Sequence, residues 1–228
     1  CAILLLISAV PYMLRSPDEQ ITEVPAWSLG AFLKDFWVSP RRHPDFAWAW
    51  VVRFLVNLGN AIATLYLFYF LKDIIGVADA DTSLFIVISI YSVTVSIAAV
   101  VFGMRSDKSG RRKSFVVASG VIILIASVSL AFWQTWPGVL VAAIILGIGF
   151  GIFLAVDLAI ISEVLPNKTG YAKDMGVINI ANASPQVLAP VIAAPIVLSA
   201  GGYTALYILS GVVSLLGAIA VARIKQVS

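Results

Sequence analysis

Six long runs of apolar residues dominate the chain, at roughly 46–71, 82–103, 114–133, 137–163, 175–200 and 203–222. Each reaches the roughly 20 residues that a helix needs to cross a hydrocarbon layer of about 30 Å. Backbone N–H and C=O groups find no water in that layer, so only helices or closed barrels span it. Barrel strands would show as segments of about 10 residues with alternating polarity, and these runs are continuous instead. The expected fold is therefore all-α and membrane-embedded. Composition agrees: 61% of residues are hydrophobic and 12% charged, against about 25% charged in soluble domains. A soluble fold of this size has too much surface to hide so many apolar side chains.

Two segments precede these runs. Residues 1–14 are apolar but too short to span, and carry neither a basic leader nor a small-residue cleavage site. They read as the end of a helix whose start was cut away, so the chain is expected to be a fragment. Residues 15–45 form the one long polar segment, with Pro17, Pro25, Pro40 and Pro44. Within it, Trp27, Phe32, Leu33, Phe36 and Trp37 fall close to one helical face, which suits a short helix lying in the interface as well as a linker with scattered aromatics. One cysteine, Cys1, excludes an internal disulfide, and one histidine, His43, excludes a multi-His metal site. No metal or cofactor is implied, and a net charge of +3 gives no reason to expect nucleic acid as a partner. No metalloprotease motif or nucleophile elbow occurs, so the chain does not read as an enzyme.

The placement of the basic residues orients the chain. Thirteen of the fifteen lie in residues 15–45, 104–113, 164–174 and the C-terminus, on one side of the alternating connections. The opposite connections hold Lys72 alone, while 72–81 carries Asp73, Asp79 and Asp81. Lys and Arg accumulate on the cytoplasmic side, so the first set, with the C-terminus, is expected in the cytoplasm. The membrane is expected to be the plasma membrane.

One connection carries a more specific pattern, Gly103-Met-Arg-Ser-Asp107-Lys108-Ser-Gly110-Arg111-Arg112-Lys113. Gly103 lets helices approach closely, and Gly110 can take the left-handed geometry of a tight turn. Asp107 favours a nearby cation or helix N-terminus, and Arg111 and Arg112 can grip a carboxylate in bidentate fashion. The segment resembles the signature loop of the major facilitator superfamily, Gly-x-x-x-Asp-[Arg/Lys]-x-Gly-[Arg/Lys]-[Arg/Lys]. The resemblance implies the second copy of that loop, between helices 8 and 9 of a twelve-helix carrier. Residues 1–14 would then be the end of helix 6, residues 15–45 the central loop, and 46–228 the C-terminal six-helix half. An N-terminal half is the implied partner. The loop's implied role is to latch one conformer, the plainer alternative being charge that only sets topology.

Ionisable groups at membrane depth are expensive and mark functional candidates. Arg53, Asn57, Asn60 and Thr64 form one stripe at i, i+4, i+7 and i+11. Asp157, counted back from Pro166, lies at a depth similar to that of Arg53 by helical rise. Arg53 and Asp157 can be a substrate or coupling pair. Alternatively, Asp157 pairs with Arg111 or Arg112 as a lock, with Glu163 among the gate charges, or Arg53 snorkels to the interface. Asn179, Asn182 and Gln186 repeat at i, i+3 and i+7, where amides bond a polar solute or glue helices. Pro185, Pro190 and Pro195 should bend this helix. Gly147-x-x-x-Gly151 reads as close packing, and Ser89, Ser92 and Ser96 as a packing seam. Tyr66, Phe68 and Tyr69 suit an interfacial belt or a sugar-stacking surface.

The resulting expectation is a secondary active transporter moving a small polar solute, sugar-like rather than an amphipathic drug, by alternating access. H+ or Na+ would be the coupling ion of a symporter, and the Asn-rich first full helix is faintly like sugar–cation symporters. Arg53, Asn57, Asn60, Asp157, Asn182 and Gln186 are the candidate solute or coupling residues. Gly103, Asp107, Lys108, Gly110, Arg111 and Arg112 form the candidate gate. The rival readings are a non-transporting scaffold or receptor related to carriers, and a membrane-embedded enzyme.

Overall fold

The computed structural model describes residues 41–164 and 171–225, with backbone alone at 171–173. The short segment 1–14, the interfacial helix within 15–45 and the loop residues 165–170, with Lys168, lie outside the described residues. Among the described residues all regular structure is helical: α1 (Pro44–Leu65), α2 (Leu67–Phe70), α3 (Ala80–Ser109), α4 (Arg112–Phe132), α5 (Trp136–Val164), α6 (Tyr171–Val197) and α7 (Gly202–Ala220). A π-turn, Leu71–Ile75, continues α2, so that Pro44–Ile75 is one span among six long and apolar enough to cross a membrane.

Local chemistry explains the ends. Pro44 opens α1, where a missing N–H costs nothing. Asp79 caps α3: its carboxylate accepts from the Thr82 amide at 3.1 Å and the Thr82 hydroxyl at 2.6 Å. Those bonds hold the Asp79 carboxyl below its ordinary range. At its other end α3 runs to Ser109, beyond the expected boundary at 103, and stops at Gly110 with φ of 64°. The motif from Gly103 to Ser109 is thus helical, and only Gly110 makes the left-handed turn that a side chain would resist. In α6 the helix continues through Pro185, Pro190 and Pro195.

Glycines set the spacing of the bundle. A Cβ on Gly147 would lie 2.9 Å from the Tyr91 carbonyl oxygen, and one on Gly151 would lie 2.6 Å from that of Val95. On the other side of α5, a Cβ on Gly149 would meet Ile123 of α4 at 2.8 Å. The alternate glycines therefore seat α5 tightly between α3 and α4. Gly103 does not act this way, because a Cβ there would sit 3.6 Å from that of Ala155, an ordinary contact. Among the described residues the α3 serines form no seam: Ser92 and Ser96 are exposed, and Tyr91, Thr94, Val95 and Ala98 meet the α5 glycines.

α1 is tied to its neighbours along its length. Trp50 donates from Nε1 to the Val177 carbonyl of α6 at 3.0 Å. At one end the Lys225 amide donates to Asp45 at 3.0 Å, and Arg223 lies over the Trp48 ring. Beyond α1, at the far end of the Pro44–Ile75 span, Tyr203 donates to Asp73 in the π-turn at 3.0 Å. α3 and α6 are the least covered spans, with 11% and 22% of their most apolar stretch buried, against 44% or more in the other four.

Candidate functional site

The stripe on α1 opens into a cavity of about 500 Å³. Asn57, Asn60 and Thr64 form one wall, Asn182 and Gln186 of α6 a second, and Phe150 and Leu154 of α5 a third. Four of the six solute candidates thus line one space. Asn179 is exposed and takes no part in the lining. Tyr66, Phe68 and Tyr69 pack on each other at the far end of the span, with centroids 5.6–6.2 Å apart, and Phe150 supplies the aromatic wall instead.

The polar groups of α1 are held by local bonds. Asn57 donates from Nδ2 to the Arg53 carbonyl at 2.8 Å, and Thr64 donates to the Asn60 carbonyl at 2.9 Å. The Asn60 amide is fixed across helices: the Tyr91 hydroxyl of α3 donates to its Oδ1 at 3.0 Å. The Tyr91 ring also lies nearly parallel to Phe150, 27° between planes at 6.4 Å. Sequence reasoning passed over Tyr91 and Phe150. The signal was present in Tyr91, since a buried tyrosine hydroxyl usually finds a polar partner.

The other two candidates, Arg53 and Asp157, form an ion pair with Nη1 and Oδ2 3.2 Å apart. Both are buried, 8% and 5% exposed, so Arg53 does not snorkel to an interface. The contact is Coulombic rather than bidentate, because Nε and Nη1 of Arg53 are buried without a hydrogen-bond acceptor. Neither residue lines the cavity, but both adjoin it: Asn57 is bonded to the backbone of Arg53, and Leu154 precedes Asp157 by nearly one turn of α5.

The basic motif engages a different carboxylate. Arg112 pairs with Glu163 near the end of α5 and donates to the Ala159 carbonyl at 3.3 Å. Asp157 is therefore not the partner of Arg111 or Arg112. Arg105 lies over the Phe102 ring at 5.6 Å, and Asp107, Lys108 and Arg111 are exposed. The glycines are placed as described above: Gly110 in the turn, Gly103 beside Ala155.

No curated protein and no solved structure matches the chain. Residues 54–227 match the family model of the Major Facilitator Superfamily, a span that takes in most of α1, all later helices, the motif and the three cavity walls. The chain belongs to the Major Facilitator Superfamily, whose members are typically membrane transporters.

Proposed function

We propose that the chain is half of a secondary active transporter that carries a small polar, sugar-like solute by alternating access. The observation that carries this reading is the cavity of about 500 Å³ onto which Asn57, Asn60, Asn182 and Gln186 converge from two helices. Such a volume lies within the range of small-molecule sites. Secondary carriers bind near the bilayer midplane between two repeats, and the sparse burial of α3 and α6 leaves faces for an N-terminal half to cover. The basic connections and C-terminus face the cytoplasm in this reading, in the plasma membrane.

Arg53 and Asp157 serve as the coupling pair, next to but not within the solute cavity, with H+ or Na+ as the coupling ion. The pair between Arg112 and Glu163 belongs to the cytoplasmic gate, together with Gly103, Asp107, Lys108, Gly110 and Arg111.

Uptake of labelled sugars and polyols by the full-length protein in proteoliposomes tests the reading. Accumulation driven by an imposed ion gradient and lost in Asn182→Ala and Gln186→Ala is the expected result. A folded protein that moves none of these solutes under any gradient would instead favour a carrier-like scaffold.

A further inference from the structure

Resting on that reading, the geometry points to a hydrogen-bond code on α1, oriented by Tyr91, that selects uncharged polyhydroxyl solutes and rejects their acids and amines. The argument begins with which end of each amide is already in use. Asn57 holds its Nδ2 on the Arg53 carbonyl. A backbone carbonyl can only accept, so Oδ1 is the end turned away, an acceptor. Asn60 is held the opposite way: its Oδ1 takes the Tyr91 proton, and Nδ2, a donor, is turned away. The Thr64 hydroxyl spends its proton on the Asn60 carbonyl and keeps only acceptor lone pairs. Along one face, about one turn apart, the cavity wall reads acceptor, donor, acceptor.

A hydroxyl both donates and accepts, so neighbouring hydroxyls of a polyol can meet this sequence in full. Carboxylates and phosphates only accept, and would leave Asn57 and Thr64 facing lone pairs. An ammonium only donates and would oppose Asn60. Charge itself adds to the rejection. Among the described residues no ionisable side chain lines the cavity, and burying an uncompensated charge is costly. Arg53 and Asp157 offer no counter-charge, since each neutralises the other. Phe150 supplies the flat apolar wall that the C–H face of such a solute needs.

Tyr91 is a positioning residue in this scheme. Its backbone is pressed against Gly147, its ring lies along Phe150, and its hydroxyl fixes the direction of the Asn60 amide. Without that hydroxyl the amide can rotate and the middle letter of the code is lost.

The test uses the full-length protein in proteoliposomes and a panel of mono- and disaccharides and hexitols, with the uronic or aldonic acid and the amino sugar matched to each. Neutral members should be taken up, and their acids and amines excluded. Tyr91→Phe should raise KM about 3- to 10-fold, the worth of one hydrogen bond, with Vmax within twofold. Asn60→Asp puts an acceptor and a negative charge at the donor position and should shift preference from the neutral sugar to its amine. A purely structural role for Asn60 would not reverse selectivity in this way. Preference of the unaltered protein for an acid or amine overturns the code while leaving the transport reading standing. So does an unchanged KM in Tyr91→Phe, or an unchanged neutral-to-amine ratio in Asn60→Asp. Uptake of no panel member overturns the transport reading and the code together.

Discussion

Arg53 and Asp157, 104 positions apart in the chain, meet at 3.2 Å inside the bundle. Removing one partner of a buried pair strands the other charge, at a cost of about 3–5 kcal/mol. Arg53→Met or Asp157→Leu alone should lower thermal stability of the detergent-solubilised protein sharply. The double variant, with no charge left to strand, should recover much of the loss. If the double variant is as unstable as the sum of the two, the residues do not act as a pair.

Gly147 and Gly103 should respond oppositely to one methyl group. At Gly147 a Cβ collides with the backbone of α3, and overpacking of this kind costs about 1–3 kcal/mol. Gly147→Ala should destabilise the protein and, by displacing Tyr91, weaken solute binding. Gly103→Ala should be near neutral, because the new Cβ would meet that of Ala155 at 3.6 Å. Paired thermal melts with solute titrations of both variants check this contrast.

The pair between Arg112 and Glu163 is partly exposed, with 22% and 40% of the side chains accessible, so its worth to stability is under about 1 kcal/mol. Glu163→Gln should leave the melting temperature almost unchanged. Its effect should appear in the balance of conformers, as altered labelling of single cysteines placed at the two ends of the bundle. An unchanged labelling pattern would reduce the pair to a surface contact.

Asp79 gives a pH dependence outside the membrane. Thr82 holds its carboxyl below the ordinary value of 3.8, so ionised Asp79 stabilises the first turn of α3. That contribution is fully present above pH 3.8 and fades as pH falls through the lowered value. Hydrogen-exchange protection of the Thr82 amide should therefore drop on acidification below that range. In Asp79→Ala it should be low throughout.

Much of the fold is legible in the sequence. The spans at 114–133 and 137–163 needed only the length and continuity of their apolar runs, and the helices at 112–132 and 136–164 differ from them by one or two residues. Alternation of basic connections suggested sidedness without reference to packing. The candidate site was legible one helix at a time: Asn57, Asn60 and Thr64 shared a stripe, and so did Asn182 and Gln186. The partner of Asp157 was not legible, because depth along two helices is compatible with several rotations about their axes. Tyr91 was legible as a hydroxyl in want of a partner, but that the partner is Asn60 depends on the same rotations.

What the residue order settled alone is the kind of solvent this chain needs and the local geometry of its spans. Those follow from apolar length, helical period and the conformational freedom of residues such as Gly110. Which faces meet was decided only in three dimensions. Gly147 and Gly151 admit α3 to contact, and that contact carries Tyr91 to Asn60, 31 positions away. Hydrogen bonds and close packing depend on ångström-scale distances between helices, and no period along a single helix encodes them.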